Sequence, residues 1–181
     1  MNLMKTITLH NKKFEVSISN DEIAAIVDTI ANKINASKIK NPLFIAVMNG
    51  SFLFAADVMR KITTPNTEIS FIKLSSYCGT ETTGKVNVLI GISKDIKDRN
   101  VIILEDIIDT GITLEKIISL LKKEKVADIK VSTLLFKPDA YTKDIRIDFI
   151  GKSIPNDFVV GYGLDYDEIG RNLPHIYKLK E

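Results

Sequence analysis

Apolar residues recur along this chain in two distinct rhythms. After Ser19-Asn20-Asp21-Glu22, which reads as a capping box, Ile23, Ile26, Val27, Ile30 and Ile34 fall at the 3.6-residue spacing of one helix face. The next apolar stretch differs in kind. Leu43-Phe44-Ile45-Ala46-Val47-Met48 is unbroken and bounded by Asn41-Pro42 and Asn49-Gly50. Too short for a helix and too uniform for a half-exposed strand, it predicts a strand buried on both faces. Ser51 is expected to cap a second helix reaching about Ile62. Further strands are predicted over 69–74, 86–90, 101–104 and 129–136. Between the last two, Leu114, Ile117, Ile118 and Leu121 form a helical stripe that closes on Lys122, Lys123 and Lys125, as suits a helix C-terminus.

Strands alternating with helices imply crossover units, hence an α/β fold with a mainly parallel sheet flanked by helices. The sequence has no internal repeat, low-complexity tract or linker rich in Pro, Gly and Ser, so a single domain over 1–181 is expected. Parallel sheets of this kind bind ligands beyond the carboxyl ends of their strands. Chemistry is therefore expected in the turns at 49–51, 75–85, 105–113 and 137–140.

Composition narrows the function classes. The 181 residues carry a formal net charge of +2, with 45% hydrophobic and 27% charged residues, which argues against disorder and against a strongly basic nucleic-acid binder. Cys78 is the only cysteine, so no intramolecular disulfide forms, and a reducing compartment is expected. No apolar run approaches the ~18 residues that a spanning helix needs. The opening residues Met1-Asn2-Leu3-Met4-Lys5 lack the apolar core of a signal peptide. A soluble cytoplasmic protein, bound neither to membrane nor to nucleic acid, is the expectation.

The most informative segment is Val101-Ile102-Ile103-Leu104-Glu105-Asp106-Ile107-Ile108-Asp109-Thr110-Gly111-Ile112-Thr113-Leu114. An apolar strand delivers two adjacent carboxylates and a third three residues on, then a Thr-Gly-Ile-Thr run at a helix start. Free N–H groups at that start form an anion site, to which Thr110 and Thr113 add hydroxyls. Gly111 allows close backbone approach. Three acids within five residues repel one another unless something binds them. Carboxylates beside a phosphate cradle suit a ligand that also presents hydroxyls or arrives with a metal ion. Phosphate, sugar diol and Mg²⁺ together describe a phosphorylated ribose. A Walker-type nucleotide loop is absent from the sequence.

Leu-Glu-Asp-Ile-Ile-Asp-Thr-Gly-Ile-Thr-Leu resembles the 5-phosphoribosyl-1-pyrophosphate (PRPP) motif of type I phosphoribosyltransferases, in the form found in the hypoxanthine-guanine branch. The likeness runs from about Phe44 to Leu173. It implies a sheet capped by a small hood built from the N-terminal segment and roughly 145–181. It also implies that Glu105, Asp106, Asp109, Thr110, Gly111, Ile112 and Thr113 meet the 5′-phosphate and ribose. Ile112 stands where some relatives carry lysine. Met48-Asn49-Gly50-Ser51-Phe52 is similar to the family's pyrophosphate loop, where relatives have an unusual non-proline peptide bond and often Lys or Arg in place of Asn49. Ser76 and Tyr77 resemble the pair on the family's mobile lid, which would keep water from an oxocarbenium-like ribosyl cation.

The same resemblance places the purine end in the last third of the chain. Lys137, just before Pro138, would donate to the oxygen at purine C6; Phe158 would stack on the base, and Val159 would read its edge with backbone groups. Arg171 is similar to a pyrophosphate-contacting arginine, and Asp165 would face the metal side, with Glu105 and Asp106 the other candidates for Mg²⁺. Asp109 would manage the proton on purine N7. His10 and His175 fall outside every motif and are assigned no chemistry, and Cys78 lacks an evident partner.

The implied activity is purine salvage: PRPP plus hypoxanthine or guanine gives IMP or GMP and pyrophosphate, in a homo-oligomer, a dimer or tetramer. Two alternatives stay open, a PRPP- or nucleotide-sensing regulator on the same fold and a transferase preferring xanthine. Lys137 as a donor to a 6-oxo group argues against adenine, whose 6-amino group is itself a donor. The near-neutral balance disfavours a polyanionic macromolecule but not a small anion handled by local geometry.

Overall fold

A computed structural model of the chain describes residues 6–75, 87–92 and 95–180. The unbroken apolar run becomes strand β3 (Leu43–Val47), and all five of its residues are buried. Successive side chains of a strand point to opposite faces. Accordingly Phe44 and Ala46 enter one core cluster and Leu43, Ile45 and Val47 another. Around β3, the strands β4 (Glu68–Ser75), β5 (Asn87–Ile90), β6 (Asn100–Ile108), β7 (Asp128–Phe136) and β8 (Phe149–Ser153) form a sheet in the order β5-β4-β3-β6-β7-β8. Every pairing is parallel except that of β4 with β5. The mainly parallel sheet expected from the alternation is present.

Helices cover both faces. Helix α1 (Asn20–Ala36) starts at the expected cap, where the Ser19 hydroxyl accepts from the Glu22 N–H at 3.2 Å. Its stripe of Ile23, Val27, Ile30 and Ile34 packs with Phe54, Ala55 and Val58 of α2 (Phe52–Met59) on one face of the sheet. Helix α3 (Ile112–Lys123) lays Leu114, Ile117 and Leu121 on the other. Two local expectations are corrected. Helix α2 ends at Met59 rather than about Ile62, and Ser51 does not cap it, because its hydroxyl donates instead to the Val47 carbonyl at 2.6 Å.

A second, antiparallel sheet comes from the two chain ends, with β1 (Thr6–Leu9), β2 (Lys12–Ile18), β10 (Ile176–Leu179) and β9 (Val159–Val160) in the order β1-β2-β10-β9. Phe14, Val160 and Tyr177 form its own small core, while Ile18, Val159 and Ile176 join the main one. His175, outside every motif, finishes the start of α1: its Nδ1 accepts from the Asn20 N–H at 2.8 Å. No described helix is long and apolar enough to cross a membrane.

The connectivity fixes where a ligand can sit. From β3 the chain crosses to β4 on one side, then returns to β6 on the other. The strand order thus switches between β3 and β6, and the crevice at that point opens beyond their carboxyl ends. Two turns flank it, one running on from Val47 and the other from Ile108.

Candidate active site

Strand β6 runs further than its apolar core predicts. Glu105 pairs in register with Thr133 of β7, and the strand continues to Ile108. Glu105 and Asp106 therefore stand on the strand itself, and only Asp109–Gly111 form the turn. Glu105 is 5% exposed and Asp106 half-buried. Burial, with the neighbouring Asp106 charge, holds the Glu105 carboxyl well above its ordinary range. Burial also raises Asp106, from 3.8 to about 6. Backbone N–H groups of Ile107 and Asp106 and the Arg171 guanidinium oppose that rise, and the Asp165 charge adds to it. No salt bridge reaches either acid among the described residues. Two acids whose charge burial penalises are a standing cost that an incoming cation or a set of hydroxyls would relieve.

The turn after β6 has the geometry of an anion cradle. Gly111 occupies the N-cap position of α3 at φ +82°, with no side-chain cap, and the first intrahelical bond is from the Glu115 N–H to the Gly111 carbonyl at 3.0 Å. The N–H groups of Ile112, Thr113 and Leu114 are left pointing out of the helix start. A Cβ on Gly111 would lie 2.5 Å from the Tyr141 ring, so the position needs glycine on both conformational and steric grounds. Together with Glu105, residues 107–114 line a concavity of about 100 Å³. Ile112 and Thr113 are exposed at its mouth.

Across the crevice, the Met48–Asn49 peptide is cis, at the position where the resemblance implies an unusual non-proline bond. Gly50 lies hard against β6: an added Cβ would fall 1.8 Å from Asp106 Oδ2. From the hood, Gly163 presses on the same residue, since its added Cβ would meet the Gly50 carbonyl at 2.0 Å. Arg171 joins this group. Its guanidinium donates to the Gly163 carbonyl at 3.0 Å and pairs with Asp165 at 2.8 Å and Glu168 at 3.2 Å. Asn49, Gly50, Asp106, Asp165 and Arg171 are thus brought to one place.

Lys137 is not the solvated strand-end residue that a lone lysine usually makes. It is 8% exposed, and its ammonium donates to Asp109 Oδ2 at 3.0 Å. The backbone secures the pair, because the Lys137 N–H bonds the Ile108 carbonyl at 3.0 Å across the ends of β7 and β6. Phe158 is 42% exposed, an aromatic face left open to solvent. Tyr166 meets it edge-on at 5.7 Å and Phe14 lies 6.1 Å away. Val159 follows on β9, the edge strand of its sheet, so among the described residues one side of its backbone has no strand partner. Ser76 and Tyr77 lie outside the described residues.

Sequence reasoning missed three features of this arrangement: the Lys137–Asp109 ion pair, the Tyr141 ring packed against Gly111, and Lys12. The Lys12 ammonium sits 5.0 Å from the Tyr166 ring centre and 5.7 Å from that of Phe158. Only the strand-end position of Lys137, next to Pro138, could have signalled the first. Nothing in local spacing marks the other two.

A cation could be held here, though not in an all-protein cage. Among the described residues no group of three or more His, Cys, Asp or Glu side chains forms a metal cluster. Magnesium, however, is commonly held through one or two carboxylates plus substrate oxygens. The separate carboxylates of Glu105, Asp106 and Asp165, two of them in a site that penalises their charge, fit an ion that arrives with a phosphorylated substrate.

Comparison with known proteins agrees with this geometry. Residues 18–167 match the family described as phosphoribosyl transferase domain. The hypoxanthine-guanine phosphoribosyltransferase of Staphylococcus aureus is 39% identical over 174 residues, 95% of this chain and 97% of the relative. That of Streptococcus pneumoniae is 40% identical over 175 residues, 96% of this chain and 97% of the relative. A crystal structure of a hypoxanthine-guanine phosphoribosyltransferase from Bacillus anthracis superposes with a TM-score of 0.85 at 40% identity, covering 92% of this chain and 98% of that one. With its parallel sheet, terminal hood and acid–glycine–threonine turn at the switch point, this chain belongs to the phosphoribosyl transferase domain family.

Proposed function

We propose that the chain transfers a 5-phosphoribosyl group from PRPP to hypoxanthine or guanine, releasing pyrophosphate and giving IMP or GMP. The observation that carries this reading is the Lys137–Asp109 pair, 3.0 Å apart at the ends of adjacent strands beside the phosphate cradle. A 6-oxopurine presents an acceptor at O6 and a proton at N7 along one edge. An ammonium donor and a carboxylate acceptor at hydrogen-bond separation complement that edge.

The position of each residue supports a role in this reading. The 5′-phosphate takes the N–H groups at the start of α3 with the Thr110 and Thr113 hydroxyls, and the ribose hydroxyls donate to Glu105 and Asp106. Phe158 and the free edge at Val159 hold the base. Purine N9 attacks the anomeric carbon, the bond from that carbon to the pyrophosphate oxygen breaks, and Asp109 accepts the proton leaving N7. Asn49, Gly50 and Arg171 meet the departing pyrophosphate. Glu105, Asp106 and Asp165 would hold Mg²⁺, which offsets negative charge on pyrophosphate. A cytoplasmic homo-oligomer, dimer or tetramer, is part of the same reading.

The test is a transferase assay with PRPP, Mg²⁺ and hypoxanthine, guanine, xanthine or adenine in turn. Turnover with hypoxanthine and guanine and none with adenine is expected. No pyrophosphate release with any base would overturn the reading, and xanthine as the best substrate would move the specificity.

A further inference from the structure

We propose that Tyr162 is a positioning residue for pyrophosphate, acting through a hydrogen bond that straps the hood to the helix behind Asn49-Gly50. The inference rests on reading Asn49-Gly50 as the pyrophosphate loop.

Tyr162 sits at φ +49°, between Gly161 at +98° and Gly163 at +100°. A bulky residue is rarely held in that left-handed region, and its neighbours must over-determine it. The ring is 4% exposed within the main core. Phenylalanine would fill that space equally well. The hydroxyl does something further: it donates to Asp57 Oδ2 of α2 at 2.6 Å, while the other Asp57 oxygen pairs with Arg60. Burial and this contact keep the phenol protonated, far above the ordinary tyrosine range.

The bond closes a short mechanical circuit. Helix α2 begins at Phe52, two residues after Gly50, so fixing Asp57 fixes the helix that carries the loop. The next residue along from Tyr162 is Gly163, which abuts the Gly50 carbonyl. Gly163 is in turn tied to Arg171 in both directions, through its N–H to the Arg171 carbonyl at 2.9 Å and its carbonyl to the guanidinium at 3.0 Å. One hydroxyl therefore sets the spacing among Gly50, Asp106 and Arg171. Lys137 and Phe158, the groups assigned to the purine, take no part in these contacts.

The experiment compares Tyr162→Phe, Asp57→Asn, Asp57→Leu and the Tyr162→Phe/Asp57→Leu pair with the native enzyme, in both reaction directions. Tyr162→Phe is expected to raise KM for PRPP, and for pyrophosphate in reverse, about 3- to 10-fold. KM for hypoxanthine and IMP stays within about 2-fold. Asp57→Asn retains an acceptor and stays nearer the native values, Asp57→Leu matches Tyr162→Phe, and the double variant adds little to either. Should Tyr162→Phe fold poorly, the Asp57 pair decides alone. A lowered melting temperature with unchanged KM for PRPP, or equal rises for purine and PRPP, overturns the inference. Gly50→Ala separates this from the underlying reading. If it leaves KM for PRPP unchanged, the loop assignment itself falls; if it raises that KM while Tyr162→Phe does not, only the strap falls.

Discussion

On the sheet side of the site, Glu105 is 5% exposed and stands in the middle of a parallel sheet with strands on both sides of β6. On the hood side, Phe158 is 42% exposed and precedes a two-residue edge strand. The first side places carboxyl groups where burial penalises their charge, and backbone register holds the side chains to one geometry. The second places an apolar face where water does reach it, propped by Tyr166, Phe14 and the Lys12 ammonium. Each arrangement is unfavourable for the free protein and favourable for a ligand that supplies what is missing, hydroxyls and cations on one side and a flat aromatic on the other. A molecule with a phosphorylated sugar at one end and a base at the other satisfies both. The Lys137–Asp109 pair, at the ends of β7 and β6, is the junction between the two in the proposed reading.

The largest way to break that comparison is at the junction. Asp109→Asn keeps an oxygen for Lys137, so the pair's geometry survives while the proton acceptor is lost. A fall in kcat of about 10²- to 10⁴-fold is expected, with KM for hypoxanthine little changed. Stopped-flow or steady-state absorbance kinetics would show it; native kcat in this variant removes Asp109 as the base.

The two sides also differ in how far the sequence disclosed them. The acids and the turn of the sheet side arise from one contiguous segment, 101–114, whose pattern of apolar strand, acids, glycine and threonines is local and readable. Even there the strand end was misplaced. Periodicity follows apolar residues, and Glu105 pairs in the sheet despite its charge. The hood side is assembled across large separations. Tyr162 meets Asp57 105 positions away, and even the junction pair of Lys137 and Asp109 spans 28. Strands β1, β9 and β10 span four, two and four residues, too few for an alternation to register. Such contacts are products of topology, and a one-dimensional pattern cannot express them.

The buried charge on the sheet side has a signature in pH. Asp106 stands at about 6 in the fold against an ordinary 3.8, so folding takes up a proton between those values. The associated stability is present in full below about pH 4 and is lost as pH rises through 6. The full shift corresponds to about 3 kcal/mol at most. Asp106→Asn lacks the titrating group, so in chelator its urea-unfolding stability should gain about 1 to 3 kcal/mol relative to the native protein between pH 4 and pH 7. A difference that stays flat over that window would mean the carboxylate is better solvated than its burial implies.

The smallest effect probes the hood. The Lys12 ammonium lies within 6 Å of two ring centres, 5.7 Å from Phe158 and 5.0 Å from Tyr166. A cation over an exposed ring contributes about 0.5 to 1 kcal/mol. Lys12→Met keeps a flexible apolar stem against the rings and removes only the charge. If the cation holds Phe158 in the orientation that receives the base, KM for hypoxanthine rises about 2- to 5-fold while KM for PRPP does not move. The two sides of the site would then be energetically separable, as their construction implies. A rise in KM for PRPP instead would show that charge at Lys12 reaches the phosphate side, and the division between a buried polar half and an open aromatic half would fail at its weakest contact.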